Sequence, residues 1–148
     1  KENFIGELAK KGILPQKNIH PFIPNKNKPD FGISSYKEEL TKHGSIYDIT
    51  LLSSGEDGHI AALYPAHHSI KDESEYYIIM HDSPKPPKNR MTMSKNLLLK
   101  SKVAILLFLG EIKREAYTKF LDKSININSC PAKLVNSIKD SYVLTDFT

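Results

Sequence analysis

Tyr47-Asp48-Ile49-Thr50-Leu51-Leu52-Ser53-Ser54-Gly55-Glu56-Asp57-Gly58-His59-Ile60-Ala61-Ala62-Leu63 is the stretch that decides the fold. Its first seven residues, through Ser53, are rich in β-branched and large apolar side chains, which predicts a strand. Gly55 and Gly58 then bound a tight turn, and Ile60 to Leu63 predict the start of a helix. Strand, tight loop and helix in this order form the unit from which parallel α/β sheets are built.

The pattern repeats downstream. Tyr76–His81 (YYIIMH) and Val103–Leu109 (VAILLFL) are nearly unbroken apolar runs of the kind that suits buried parallel strands. Between them Ser94–Lys100 predicts a short helix, while Ile112, Ala116, Tyr117, Phe120 and Leu121 mark a longer one after Gly110. Pro131 opens a last helical turn, and Tyr142–Leu144 closes the chain as a strand. Upstream, Asn3 is placed to cap a helix carrying Phe4, Ile5, Leu8 and Ala9 and ended by Gly12. Ile19–Ile23 reads as a brief extended segment, and Pro24–Pro29 as an exposed loop. Ser34 or Ser35 can cap a second helix through Tyr36, Leu40 and His43, closed by Gly44. The expectation is a single domain over residues 1–148, a three-layer α/β fold with a mainly parallel sheet. Ligand sites in such folds lie at the carboxyl ends of strands, where the loops after Ser53 and Leu109 fall.

Composition narrows the function classes. No apolar run approaches the roughly 18 residues of a membrane helix, and nothing near Lys1 has the layout of a secretory signal. Cys130 is the one cysteine, so these residues cannot form an internal disulfide, and a cytosolic enzyme is expected. The net charge of +4 arises from 21 basic residues scattered among 17 acidic ones. No basic run is interleaved with aromatics, so a small anionic substrate is expected, without nucleic acid or membrane as partner. The oligomeric state is not encoded in any pattern here.

The loop carries the chemistry. Gly55 and Gly58 let backbone N–H groups approach an anion, with the positive end of the predicted helix aimed at the same place. Asp57 and His59 put a carboxylate and an imidazole at its mouth, and an imidazole can take a proton from water near neutrality and return it. On spacing alone, an Asp-Gly turn followed by a helix-capping histidine at the surface is the better explanation of these residues. The remaining histidines, His20, His43, His67, His68 and His81, lack the spacing of metal ligands and are expected at the surface.

Longer motifs favour the catalytic reading. Gly55–Pro65 (GEDGHIAALYP) resembles the GEDGHTASLFP-type signature of 6-phosphogluconolactonases. Asp82-Ser83-Pro84-Lys85-Pro86-Pro87, followed by Arg90-Met91-Thr92, is similar to that family's DSPKPP stretch and the R-[IM]-T segment after it. Gly110-Glu111-Ile112-Lys113-Arg114-Glu115-Ala116 looks like its G-x-x-K-x-x-A turn, and Pro131-Ala132 with Asp146 matches its closing pattern. The resemblance implies a modified Rossmann fold shared with sugar-phosphate isomerases, no metal and no organic cofactor. It also implies hydrolysis of 6-phospho-D-glucono-1,5-lactone to 6-phospho-D-gluconate. By motif position His59 is the general base, Asp57 its orienting partner or a turn former, and Lys113 the phosphate ligand. Gly55 and Gly58 shape the substrate loop, and Arg90 is a candidate for phosphate or sugar contact.

Departures from the family pattern are informative. Ser53-Ser54 replaces a common Gly-Met pair, and Lys123–Ser129 differs in composition and reads as a surface loop. The resemblance also implies an earlier strand with a Gly-Gly-Ser/Thr phosphate loop and an Asp-Glu-Arg segment, neither of which occurs in these 148 residues. The chain is therefore expected to be the larger, C-terminal part of the family's domain. A glucosamine-6-phosphate deaminase or isomerase would share the D-G-H-I-A core but needs a glutamate at position 64, which is Tyr64 here. A non-catalytic sugar-phosphate-binding homologue is the third alternative.

Overall fold

A computed structural model describes residues 4–147. The predicted cap Asn3 lies outside them. The described chain divides into two compact units, residues 1–36 and 37–148.

In the first unit, helix α1 (Phe4–Lys10) ends at Gly12, whose N–H bonds to the Ala9 carbonyl at 3.0 Å. Residues 16–18 form one 3-10 turn, and the extended segment at Ile19–Ile23 joins no sheet. Helix α2 (Ile33–Lys42) crosses the boundary between the units. Its cap is Asp30 rather than Ser34 or Ser35, with carboxylate oxygens accepting from Gly32 N at 3.0 Å and Ser34 N at 2.8 Å. A carboxylate can hold two amide donors at once, and a serine hydroxyl inside the first turn cannot reach them.

The second unit is built on three parallel strands: β1 (Ile49–Ser53), β4 (Val103–Phe108) and β5 (Asp140–Thr145), in the order β1-β4-β5. Strands β2 (Tyr77–Met80) and β3 (Arg90–Met93) form a separate antiparallel pair. This corrects the expectation of a parallel strand at Tyr76–His81. The proline-rich segment between the two runs lets the chain double back, and only 9 residues separate Met80 from Arg90, too few for a parallel crossover. Helix α3 (His68–Lys71) follows the site loop, α4 (Lys95–Leu99) is capped by Ser94, and α5 (Arg114–Leu121) follows the 3-10 turn Glu111–Lys113. A 3-10 helix, Pro131–Ser137, precedes β5, and Lys123–Ser129 is largely exposed, as its composition predicts.

Alternation along the strands sets the core. Leu52, Ala104, Leu106 and Phe108 point to one face and pack with Ile60, Leu63, Tyr64, Ile70, Met80, Leu98, Phe120 and Val135. Each fully buried large side chain contributes about 1.5–3 kcal/mol. On the opposite face Ile49, Leu51, Tyr142 and Leu144 are exposed.

The segment after Gly58 differs from the predicted helix. Ile60–Leu63 forms a tight turn closed by an isolated bridge, with Ala61 at φ 52°. Ile60, Ala62, Leu63 and Tyr64 are all buried, and a surface helix could not turn three consecutive side chains, Ala62 to Tyr64, into one core. The segment is instead an irregular plug. No helix among the described residues is long and apolar enough to cross a membrane.

Candidate active site

Parallel pairing of β1 with β4 aligns Ser53 with Leu107, so the two glycine-bounded loops emerge side by side at the carboxyl edge of the sheet. Ser54 N donates to the Leu107 carbonyl at 3.0 Å, and the Ser54 hydroxyl donates to the Gly55 carbonyl at 2.9 Å. Ser53 thus ends β1 in register with β4, and Ser54 bonds across to the β4 strand and within the loop.

From there the chain folds tightly on itself. Gly55 N donates to the His59 carbonyl at 2.7 Å, and Gly58 N to the Gly55 carbonyl at 3.1 Å. Gly58 has φ 89° and presses against Cys130, and its carbonyl accepts from Ala132 N at 2.9 Å. The turn is thereby fastened to the Pro131–Ser137 segment. The amides of both glycines are used inside the turn, whereas those of Glu56 and Asp57 bond to no described residue. Among the described residues, those two amides are the backbone donors that this turn leaves available to a ligand.

Asp57 and His59 form one unit. Asp57 Oδ1 accepts from His59 N at 3.1 Å and lies 2.5 Å from His59 Nδ1. Burial pushes the Asp57 carboxyl up, but the bonds from His59 and the charges of His59 and Lys85 outweigh it, leaving it below its ordinary range. An ionised Asp57 requires the proton on Nδ1, so the lone pair of neutral His59 is on Nε2. Among the described residues Nε2 has no hydrogen-bond partner. The His59 ring stacks on buried Tyr64 at 4.6 Å between centroids. This aromatic ring stands at the position where the amino-sugar enzymes need a glutamate.

Lys85 completes the loop, and the motif reading did not assign it a role. Its ammonium is 2.6 Å from Glu56 Oε1 and 3.9 Å from Asp57 Oδ2. That contact lowers the proton affinity of the Glu56 carboxyl and raises that of Lys85. The β2–β3 connection presents Lys85 through a hydrogen-bonded brace. The buried Ser83 hydroxyl bonds to the Lys85 carbonyl at 2.7 Å and sits 3.1 Å from the Tyr64 hydroxyl. Arg90 donates from Nε to Ser83 Oγ at 3.1 Å and from Nη2 to the Pro86 carbonyl at 2.7 Å. Arg90 is thus placed under the proline turn, with two of its nitrogens committed to it. Lys85 was findable in the sequence as the one cation inside the proline run.

On the neighbouring loop Lys113 ends the 3-10 turn and precedes α5. Among the described residues it makes no ion pair, and its charge acts on Glu56 from across the site. Gly110 N is held by both Asp146 carboxylate oxygens, at 3.0 and 2.9 Å, which ties the start of this turn to the end of β5. The structure therefore gathers Gly55, Asp57, Gly58, His59 and Lys113 at one sheet edge, with Arg90 beneath. His20, His43, His68 and His81 are exposed as predicted, but His67 is half-buried against Tyr64, at 5.9 Å between centroids, because its ring caps α3.

The parallel sheet thus carries a histidine–carboxylate pair and two lysines, Lys85 and Lys113, in the loops around its carboxyl edge. The chain belongs to the family described as glucosamine-6-phosphate isomerases/6-phosphogluconolactonase, which it matches over residues 2–144. It is 32% identical over 145 residues to 6-phosphogluconolactonase of Borreliella burgdorferi, covering 98% of this chain and 62% of that protein. The chain thus spans about three fifths of that relative's length. Among solved structures, 6-phosphogluconolactonase of Leishmania guyanensis superposes with TM-score 0.69 at 21% identity, covering 95% of this chain and 64% of that one. A monomeric glucosamine-6-phosphate deaminase superposes with TM-score 0.63 at 29% identity, covering 84% and 56%. These confirm the α/β fold class.

Proposed function

We propose that this chain carries the water-activating site of a 6-phosphogluconolactone hydrolase, converting 6-phospho-D-glucono-1,5-lactone to 6-phospho-D-gluconate. The observation that carries the reading is the Asp57–His59 pair, 2.5 Å apart, with His59 Nε2 left unbonded. His59 Nε2 takes a proton from water as it attacks the lactone carbonyl, and Asp57 stabilises the imidazolium. The amides of Glu56 and Asp57 are the donors for the developing oxyanion. The imidazolium then returns its proton to the departing ring oxygen, so proton and charge balance without a cofactor.

Lys113 takes the phosphate in this proposal. Arg90 contributes to substrate binding by holding the proline turn that carries Lys85. The two compact units belong to one catalytic domain, a reading supported by the family match running across both, from residue 2 to 144. The working location is the cytoplasm, and the small-molecule partner is the sugar-phosphate lactone. Tyr64 disfavours the deaminase alternative, since the sequence position that would need a glutamate holds a tyrosine, 1% exposed.

The test is His59→Ala in the intact protein. Lactonase kcat should fall by about two to four orders of magnitude with a smaller change in KM. Near-normal turnover would remove His59 from the mechanism, and release of ammonia from glucosamine 6-phosphate by the unaltered protein would favour the deaminase.

A further inference from the structure

Outside the proposed catalytic loop, the fold brings the adjacent His67 and His68 together with Asp82, which lies 14 to 15 residues further along the sequence. His68 Nε2 is 3.0 Å from Asp82 Oδ1, and His67 Nε2 is 3.5 Å from Asp82 Oδ2. The two imidazole rings are 4.1 Å apart between centroids, tilted by 38°. One ligand atom from each of the three residues falls within 4.8 Å of the others.

Two features separate this cluster from an ordinary surface ion pair. The first is the state of His67. Its side chain is 13% exposed, and its Nε2 is buried without a hydrogen-bond partner, an arrangement that costs free energy unless something satisfies the atom. The second is spacing, since tetrahedral coordination with bonds of about 2.0–2.1 Å has ligand-to-ligand edges of about 3.3 Å. The observed 3.0 and 3.5 Å bracket that edge, each histidine facing a different oxygen of the one Asp82 carboxylate.

We propose that His67, His68 and Asp82 form a binding site for a zinc-class divalent ion. Two imidazoles and one carboxylate suit zinc and reject magnesium, which prefers oxygen ligands in octahedral array. The ion takes the lone pairs of His67 Nε2, His68 Nε2 and one Asp82 oxygen. Its fourth position is left to water. With the ion on Nε2, the His67 proton resides on Nδ1, where the Ser69 hydroxyl lies 3.0 Å away and accepts it. The 3.2 Å bond from Ser69 N to Nδ1 is given up in exchange. Such an outer partner orients a metal-bound imidazole.

The position gives the site a consequence. Asp82 opens the segment that continues through Ser83 to Lys85, while His67 packs on Tyr64, whose other neighbour is His59. A bound ion therefore clips the start of α3 to the proline turn, one ring away from the base.

The experiment titrates untagged, metal-stripped full-length protein with zinc chloride by calorimetry and records thermal melting with and without zinc. His68→Ala and Asp82→Asn are the variants, because both side chains are exposed and neither packs in the core; circular dichroism verifies their fold. Saturable binding of one zinc per chain is expected, with a raised Tm in the unaltered protein and at least tenfold weaker binding in each variant. Magnesium at the same concentration should leave Tm unchanged. Absence of saturable zinc binding, or zinc affinity in both variants equal to that of the unaltered protein, overturns the proposal. The outcome does not depend on lactonase activity, so its failure is distinguishable from failure of the hydrolase reading.

Discussion

The imidazole of His59 lies directly over the Cα of Gly55: a methyl group built there would fall 2.0 Å from His59 Nδ1 and 2.8 Å from Asp57 Oδ1. The glycine at this position is a space requirement of the His59–Asp57 pair. Gly55→Ala should therefore expel the ring and lower kcat by about 10²–10⁴, as loss of the base would. Combining it with His59→Ala should cost little more than either change alone, because both remove the same group. Full additivity in kcat would show that Gly55 serves the fold instead.

Lys85 faces the carboxylates on the far side of that pair, 3.9 Å from Asp57 Oδ2. Removing its charge in Lys85→Met leaves Asp57 less compensated, which favours protonated imidazole. The acid limb of the kcat/KM profile should then move to higher pH, by less than about one unit at this exposure. Lys85→Arg should restore it. An unmoved limb with lowered activity would mean that Lys85 acts on substrate alone.

Asp146 grips Gly110 N with both carboxylate oxygens and so fixes the turn that carries Lys113. Asp146→Ala should raise KM for the phosphorylated lactone by a smaller factor than Lys113→Ala, and cost about 1 kcal/mol of stability. Lys113→Ala should lose much less on a lactone without phosphate. Comparing KM for the two lactones in both variants checks the assignment, and equal losses on both would make Lys113 structural.

In the first unit Asp30 accepts from Gly32 N and Ser34 N, and bonds with Ser34 followed by that with Gly32 lower its carboxyl from 3.8 to about 2. The folded value lies below the ordinary one. Its stabilisation is therefore present above pH 3.8 and is lost as pH falls through about 2. The protection of the Ser34 amide, its exchange rate relative to an unstructured amide at the same pH, should fall across that window and be largely lost at every pH in Asp30→Ala. Protection that does not change with pH in the unaltered protein and is unaltered in Asp30→Ala would show that the cap contributes nothing.

The apolar runs made β1 and β4 legible, because parallel strands covered on a face are written as nearly continuous apolar segments, while β5 was legible from its short Tyr142–Leu144 run. The loop from Gly55 to His59 was legible through its motif. Four things were not. The plug at Ile60–Tyr64 looks helical to any local reading, and only the competition among consecutive buried side chains for one core rules the helix out. The β2–β3 pair is decided by the proline turn between the runs, whose brace of Ser83, Arg90 and Tyr64 is assembled from residues up to 26 apart. Asp82 and His67 meet for the same reason, through tertiary folding that spacing does not record. Asp30 was missed as a cap because it sits two residues before a glycine with positive φ, outside the usual N-cap position.

The grip of Asp146 on Gly110 has a further consequence for biosynthesis. The loop of the proposed base leaves β1, the loop of the proposed phosphate ligand leaves β4, and the carboxylate that steadies the second loop leaves β5, which pairs with β4 from 37 positions downstream. A nascent chain made through about residue 100 of this sequence holds His59 and Asp57 but has neither the neighbouring β4 loop nor its latch. Ribosomes stalled before Asp146 should therefore display chains that fold locally and do not hydrolyse lactone. Catalytic competence would appear as a late step of translation, well after the base itself has been made.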